Sequence, residues 1–334
     1  MDSETIAKIK SLIDASKTIL IIQADNPDGD SLGSALALEQ IFHDLGKEPI
    51  LYCGVDIPSY LKYLPGSDRV IKELPNQFDI SILVDCATIT LLEQLERTGQ
   101  LGSIKSRSLI VIDHHDTETN LPLEHVALID AKAVSTSEVL HDLCLELGWP
   151  INLSAAELLV SSLMADSLGL TSEGTTAHSI GVLAALVEQG VSLAELEARR
   201  RLSMLKPREI VSYKGQLLQR IEYHNDNQLA IVVIPWDEIE KYSPLYNPSM
   251  LALEELRLTE GVKISIALKT YPDGKITGKL RCNYGTQIAD SLAGHFGGGG
   301  HSYAAGFKTN DWKLEELKAE LVKQTHVLLD EKAA

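Results

Sequence analysis

The chain has 334 residues, 44% of them hydrophobic, and a formal net charge of −17. That length holds one large domain or two, and the composition is that of a globular chain with real cores. The charge excludes the broad basic surface that grips long nucleic acid, and no apolar run approaches the ~20 residues that span a bilayer.

In chain order, the first segment, MDSETIAKIKSLIDASKTIL, is acidic and amphipathic. It lacks a signal peptide's basic start and apolar middle and reads as a first helix. Three short runs rich in β-branched residues follow, TILIIQ, FDISILVD and SLIVID, each ending in a polar or acidic residue. Helical patterns lie between and after them, over Ser34–Leu45, Thr90–Arg97, Ser135–Leu147, Ser154–Met164 and Ala177–Glu188. This alternation predicts an α/β domain, a mostly parallel sheet with helices on both faces.

Residues 191–222 read as a charged helical connector interrupted by Pro207. It separates a domain over 1–190 from a smaller α+β domain over 223–334, with a cleft expected between them. The second domain offers the strand patterns QLAIVVI, VKISIALKTY and KITGKLRCNY, with the hairpin signal PDG between the last two. A helix around Leu251–Leu258, another in TQIADSLAGHF, the run GGGGHSYAAGF and a charged C-terminal helix complete it. Cys53, Cys86, Cys144 and Cys282 lie far apart and form no C-x-x-C, the usage of buried free thiols in a reducing cytoplasm.

The chemistry-bearing residues sit where ligands bind such sheets, beyond the carboxyl ends of the strands. NPDGDSLGS carries Asp28 and Asp30, ILVDCA carries Asp85, VIDHHDT carries Asp113, His114 and His115, and LMADSLGL carries Asp166. Close carboxylates repel unless a cation neutralises them, and carboxylates with imidazoles suit Mn²⁺ or a similar divalent ion. Any one of these segments alone is equally a helix cap or a chance pattern. An EF-hand fails, because the sixth and twelfth positions from Asp25 are Asp30 and Leu36. A Walker loop fails because GGGGH is not followed by Lys-Ser or Lys-Thr.

The order of the four segments resembles the DHH phosphoesterase superfamily, whose motifs run D-x-D, D, D-H-H, D. The tail GKLRCNYGTQIADSLAGHFGGGGHSYAAGF resembles the DHH-associated C-terminal domain, and in length and architecture the chain is most similar to the nano-RNase/pAp phosphatase branch (NrnA-type, RecJ-like). The resemblance implies two Mn²⁺ ions, with Mg²⁺ as the alternative. It implies Asp85 as the bridging ligand, Asp30, His114 and Asp166 completing one site, and Asp28 belonging to the other. Asp113 and His115 are the implied catalytic pair. His115 either contacts the scissile phosphate and assists the leaving group or orients His114 through a hydrogen bond. GGGGH on its own reads as a flexible turn; with the resemblance, Gly298, Gly299, Gly300 and His301 become a phosphate cradle. Arg281 becomes a clamp on a terminal phosphate, with Lys279 and Lys275 on the same strand pattern. The implied activity is hydrolysis of short oligoribonucleotides to nucleoside monophosphates and of pAp to AMP, in the cytoplasm. No long duplex or membrane partner is implied, and a homodimer is the expected assembly. The alternatives are a linear or cyclic dinucleotide phosphodiesterase, or a nucleotide-binding protein with weakened catalysis.

The chain departs from the branch at two places. The first motif there reads H-x-N-P-D-G-D, and its His ligates the first metal; Ala24 stands in that place here. The first site is therefore weakened unless Asp25, Gln23 or water supplies the missing ligand. The second departure is Asp116 after D-H-H, which adds negative charge near the phosphate path.

Overall fold

The computed structural model describes residues 2–115 and 120–333, and Asp116 lies outside them. The chain divides into two compact units, Met1–Leu205 and Lys206–Ala334. The boundary falls inside the stretch read as a connector, so its first helix belongs to the first unit and its second helix to the second.

The first unit runs α1 (Ser3–Ala15), β1 (Thr18–Ile22), α2 (Gly29–Asp44), β2 (Glu48–Tyr52), β3 (Ile80–Val84), α3 (Glu93–Arg97), α4 (Leu101–Lys105), β4 (Ser108–Asp113), β5 (Val126–Ile129), α5 (Thr136–Leu147), α6 (Leu153–Asp166), α7 (Ala177–Glu188) and α8 (Leu193–Ser203). Its five strands are all parallel, in the order β2-β1-β3-β4-β5. Side-chain alternation assigns the two faces. Ile19 and Ile21 of β1 pack with α1, α2, α5 and α6, whereas Leu20 and Ile22 pack with Leu95 of α3, Ile104 of α4 and Phe78. The sheet is thus covered on both faces, by long helices on one and short ones on the other, and every residue of β3 is buried.

The strand patterns predict three of the five strands; the two others are the edges. Glu48–Tyr52 contains Pro49, which lacks an N–H and is tolerated at an edge, and Val126–Ile129 is only four residues long. The order places the topological switch between β1 and β3, so the crevice for a ligand opens at their carboxyl ends. Asp28 starts α2 there as a capping box: its Oδ1 accepts from the N–H groups of Asp30 and Ser31, both at 3.0 Å, while Ser31 Oγ accepts from the Asp28 N–H. The helix therefore begins five residues before the predicted Ser34.

Helices α2 and α6 approach closely because α2 carries Gly29 and Gly33 on the shared face. A Cβ at Gly33 would lie 2.8 Å from Ser162 Cβ and 3.1 Å from the Leu158 carbonyl oxygen, and one at Gly29 would lie 2.5 Å from Ala165 Cβ.

The second unit runs α9 (Arg208–Gln219), β6 (Glu222–His224), β7 (Leu229–Ile234), α10 (Trp236–Tyr242), α11 (Pro248–Leu256), β8 (Ile264–Thr270), β9 (Ile276–Cys282), α12 (Ala289–His295), β10 (Gly299–His301), β11 (Ala304–Thr309) and α13 (Leu314–Ala333). Its six-stranded sheet, β10-β11-β9-β8-β7-β6, is antiparallel except for the β7–β8 pair. Helices α12 and α13 cover one face, and α9, α10 and α11 the other. The PDG hairpin joins β8 to β9 with Gly274 at φ +80°, a left-handed position that suits glycine.

Gly33→Ala should destabilise the first unit by about 1–3 kcal/mol through overpacking against α6. Urea unfolding followed by circular dichroism checks this, and an unchanged midpoint would contradict the close approach.

Candidate metal centre

Each acid of the first unit arrives on a different element. Asp30 is in the first turn of α2, Asp85 follows β3, Asp113 ends β4 with His114 and His115 directly after it, and Asp166 ends α6. The convergence is set by the parallel sheet, which delivers the ends of β1, β3 and β4 to one edge.

His114 is the centre of the group. Its Nδ1 lies 3.2 Å from the Ala133 carbonyl oxygen, which can only accept, so Nδ1 carries a proton and Nε2 is the ring nitrogen that faces the acids. That Nε2 is buried and has no hydrogen-bond partner among the described residues. It stands 3.6 Å from Asp30 Oδ2, 3.6 Å from Asp85 Oδ1 and 3.3 Å from Asp166 Oδ2. Three carboxylate oxygens converging there concentrate negative charge that a cation would neutralise.

Two sets of ligand atoms each lie within 4.8 Å of one another: Asp30, His114 and Asp166, and Asp85, Asp113, His114 and His115. The donor set is oxygen and imidazole nitrogen, which fits a divalent cation of the Mn²⁺ type. The carbonyl that fixes the His114 tautomer is the outer-sphere partner expected of a metal-binding histidine.

Burial and mutual charge oppose ionisation of the cluster's carboxyls. Burial pushes the Asp30 carboxyl up to about 6, against the opposing influences of His114 and the hydrogen bonds from Ser162 and Thr136. Burial, then the charges of Asp30, Asp28 and Asp113, raise Asp85 well above the usual carboxylate range. Burial, and also the Asp28 charge, raise Asp166. Asp28 itself is exposed and belongs to neither set within 4.8 Å, yet its charge acts on Asp85 and Asp166.

Asp113 turns inward and accepts three hydrogen bonds at one oxygen, Oδ1: the N–H of His114 at 2.7 Å, the N–H of His115 at 3.1 Å and His115 Nδ1 at 2.7 Å. It braces the D-H-H turn. The His115 ring is half-exposed, and its bond to Asp113 raises its pKa. His115 makes no hydrogen bond to His114; the rings lie 4.4 Å apart, tilted by 50°. The Ala133 carbonyl, not His115, orients His114.

Asp25 points elsewhere. Its Oδ2 accepts the Gln94 N–H at 2.7 Å, in the first turn of α3. Ala24 is buried in the apolar cluster with Tyr52, Cys86 and Ala87. Gln23 is fully buried, and its amide oxygen and nitrogen have no hydrogen-bond partner among the described residues. All four cysteines are free and buried. Burial pushes the Cys86 thiol up to about 12, which removes it as a nucleophile near neutral pH.

The substrate residues read from the tail all lie in the second unit. On β9, Lys279 and Arg281 share a face and are flanked across the sheet by small residues, Gly306 and Ala267 beside Lys279 and Ala304 and Ser265 beside Arg281. Neither has a carboxylate partner among the described residues. Burial followed by the Arg281 charge lowers the Lys279 pKa, and burial followed by the Arg257 charge lowers that of Arg281. Lys275 instead lies 4.1 Å over the Tyr271 ring and 3.7 Å from Asp273. Gly299, Gly300 and His301 form β10, exposed and antiparallel to β11. Side chains at Gly298 and Gly300 would collide with β11, so hairpin packing by itself calls for glycine at both positions.

Sequence reasoning missed the buried hydroxyls around Asp30. Its Oδ1 accepts from Ser34 Oγ at 3.2 Å and from Ser162 Oγ, and its Oδ2 accepts the Thr136 N–H at 2.7 Å. The signal was the paired Gly29 and Gly33, which bring α6 and Ser162 close, and the capping run Ser135-Thr136-Ser137-Glu138.

Residues 18–165 match the model of the DHH family, N-terminal domain. Over that segment the chain is similar to the DHH family. It is 29% identical over 292 residues to the bifunctional oligoribonuclease and PAP phosphatase NrnA of Thermus thermophilus, covering 87% of this chain and 84% of that protein. In fold it is similar to an exopolyphosphatase-related protein from Bacteroides fragilis, with a TM-score of 0.83 at 20% identity over 98% of both chains. The exonuclease RecJ bound to manganese is similar with a TM-score of 0.50 at 17% identity, over 96% of this chain and 93% of that one. No single helix among the described residues is long and apolar enough to cross a membrane.

Two outcomes check this geometry. A divalent cation at a hundredfold its Kd should add about 2.7 kcal/mol to unfolding stability, and His114→Ala should remove most of that gain in thermal melts with and without EDTA. Asp25→Ala should cost about 1–2 kcal/mol through the lost bond to Gln94, while the cation stoichiometry measured by calorimetry stays the same.

Proposed function

We propose that this protein is a Mn²⁺-dependent phosphoesterase that hydrolyses short oligoribonucleotides to nucleoside monophosphates and pAp to AMP. The observation that carries the chemistry is the buried Nε2 of His114, without a hydrogen-bond partner among the described residues, facing oxygens of Asp30, Asp85 and Asp166. The similarity to a named oligoribonuclease and PAP phosphatase over most of both chains supports the substrate class.

Divalent cations held there supply the positive charge that lowers the pKa of an attacking water and draws charge from the phosphoryl oxygens. The chain's own groups do the rest. Asp113 holds His115 by Nδ1, which leaves the far edge of a half-exposed ring free to meet the phosphate. The attacking water forms its bond to phosphorus as the P–O bond of the ester breaks. His115, its pKa raised by Asp113, is placed to give a proton to the leaving oxygen. In the second unit, Arg281 and Lys279 present two cations without carboxylate partners among the described residues, the chemistry that binds a phosphate group. Gly298, Gly299, Gly300 and His301 form the neighbouring hairpin and add backbone and imidazole donors to the same task.

The experiment is Mn²⁺ titration of the purified protein followed by addition of pAp or a diribonucleotide. Turnover that requires Mn²⁺, with KM raised about 10-fold or more in Arg281→Ala through the lost charge-assisted bonds, is the expected result. Tight substrate binding without hydrolysis at saturating Mn²⁺ would replace the enzyme by a nucleotide-binding protein.

A further inference from the structure

Thr136 is the first residue of α5 and is completely buried. The helix start around it is fixed independently of any ligand: Ser135 caps the helix by accepting the Glu138 N–H at 3.3 Å, and Glu138 Oε2 accepts the Val134 N–H at 3.2 Å. From that position Thr136 makes two bonds to two acids far away in sequence. Its N–H donates to Asp30 Oδ2 at 2.7 Å, and its hydroxyl donates to Asp85 Oδ1 at 3.0 Å. These are the same two oxygen atoms that stand 3.6 Å from His114 Nε2.

One residue therefore sets the separation of two carboxylates that would otherwise repel. The N–H is one of the donors that every helix N-terminus leaves without an intrahelical partner, so any residue could supply it. The hydroxyl is particular to threonine or serine, and it aims Asp85. Asp85 sits at φ +57°, a left-handed conformation that Asp adopts more readily than most residues with a side chain, and the Thr136 hydroxyl fixes its Oδ1.

We infer that Thr136 is a positioning residue of the metal centre, holding Asp30 Oδ2 and Asp85 Oδ1 at the spacing the cations require. The inference rests on the cluster's being a divalent-cation site. Loss of an outer-sphere hydrogen bond typically lowers metal affinity about 10–100-fold, and Thr136→Val should do the same. Thr136→Ser should restore affinity to within about threefold of the parent, because the hydroxyl is the active part.

The test is calorimetric titration of Mn²⁺ into the parent, Thr136→Val, Thr136→Ser and Thr136→Ala, with melts of each metal-free protein in EDTA. The expected result is weakened binding in the valine and alanine variants and recovery in serine. The Mn²⁺ concentration for half-maximal turnover should rise in valine, while the substrate KM at saturating Mn²⁺ is unchanged. A purely structural role would lower the melting temperature without moving the Mn²⁺ midpoint. If valine binds like the parent, or alanine does where valine fails to fold, the inference is overturned and the proposed function stands. A parent that binds no Mn²⁺ overturns both.

Discussion

The first unit is organised around a repulsion. Oxygens of Asp30, Asp85 and Asp166 converge on His114 Nε2 at 3.3–3.6 Å, and the carboxylates repel one another. In an unconstrained chain such groups would move apart into water. Here each is fastened to a different element. Asp30 is held by α2 and the hydroxyls of Ser34 and Ser162, Asp85 by the end of β3 and Thr136, and His114 by the Ala133 carbonyl. Separating them would mean pulling apart the parallel ladder β1-β3-β4. The doubly covered sheet supplies the apolar burial that offsets the cost of holding the acids together.

Burial and the neighbouring charges shift the carboxyls of Asp30, Asp85 and Asp166 upward, so a cation would favour their ionised forms. The close approach of α2 and α6 brings Ser162 to Asp30. That approach depends on Gly29 and Gly33, two residues that carry no chemistry themselves. Packing, electrostatics and affinity are therefore linked through one helix pair.

The chemistry-bearing residues of the first unit were legible in the sequence because their carriers are the strongest signals a chain offers. Three apolar strands end in a polar or acidic residue, and a doubly wound sheet brings such ends together. The edge strands were hidden by Pro49 in one and by brevity in the other. Asp25 looked like a spare ligand because spacing alone does not say which way a carboxylate turns; its partner, the Gln94 N–H, is sixty-nine residues away. Thr136 and Ser162 were invisible for the same reason, since their bonds to Asp30 span 106 and 132 residues. The glycine run of the tail illustrates the opposite error. It suggests a loop, yet it forms a strand whose small residues let β11 lie close, a requirement that exists with or without a ligand.

The net charge of −17 and the proposed phosphate-bearing substrate are compatible because the two units distribute charge differently. In the first unit negative charge is concentrated at a point where cations would neutralise it. In the second, Lys279 and Arg281 stand on an open strand face, lowered in pKa by burial and by neighbouring cations, with no acid opposite. A cation whose charge is disfavoured by other cations gains more from a phosphate than one already paired with a carboxylate. Local complementarity of this kind has a short reach, about 8 Å at physiological ionic strength, and the repulsion of the whole molecule acts on every phosphate beyond it. A ligand with one or two phosphates spends most of its charge inside that reach. Under the proposed function, each nucleotide added beyond it would meet only the global repulsion, a bias toward short substrates.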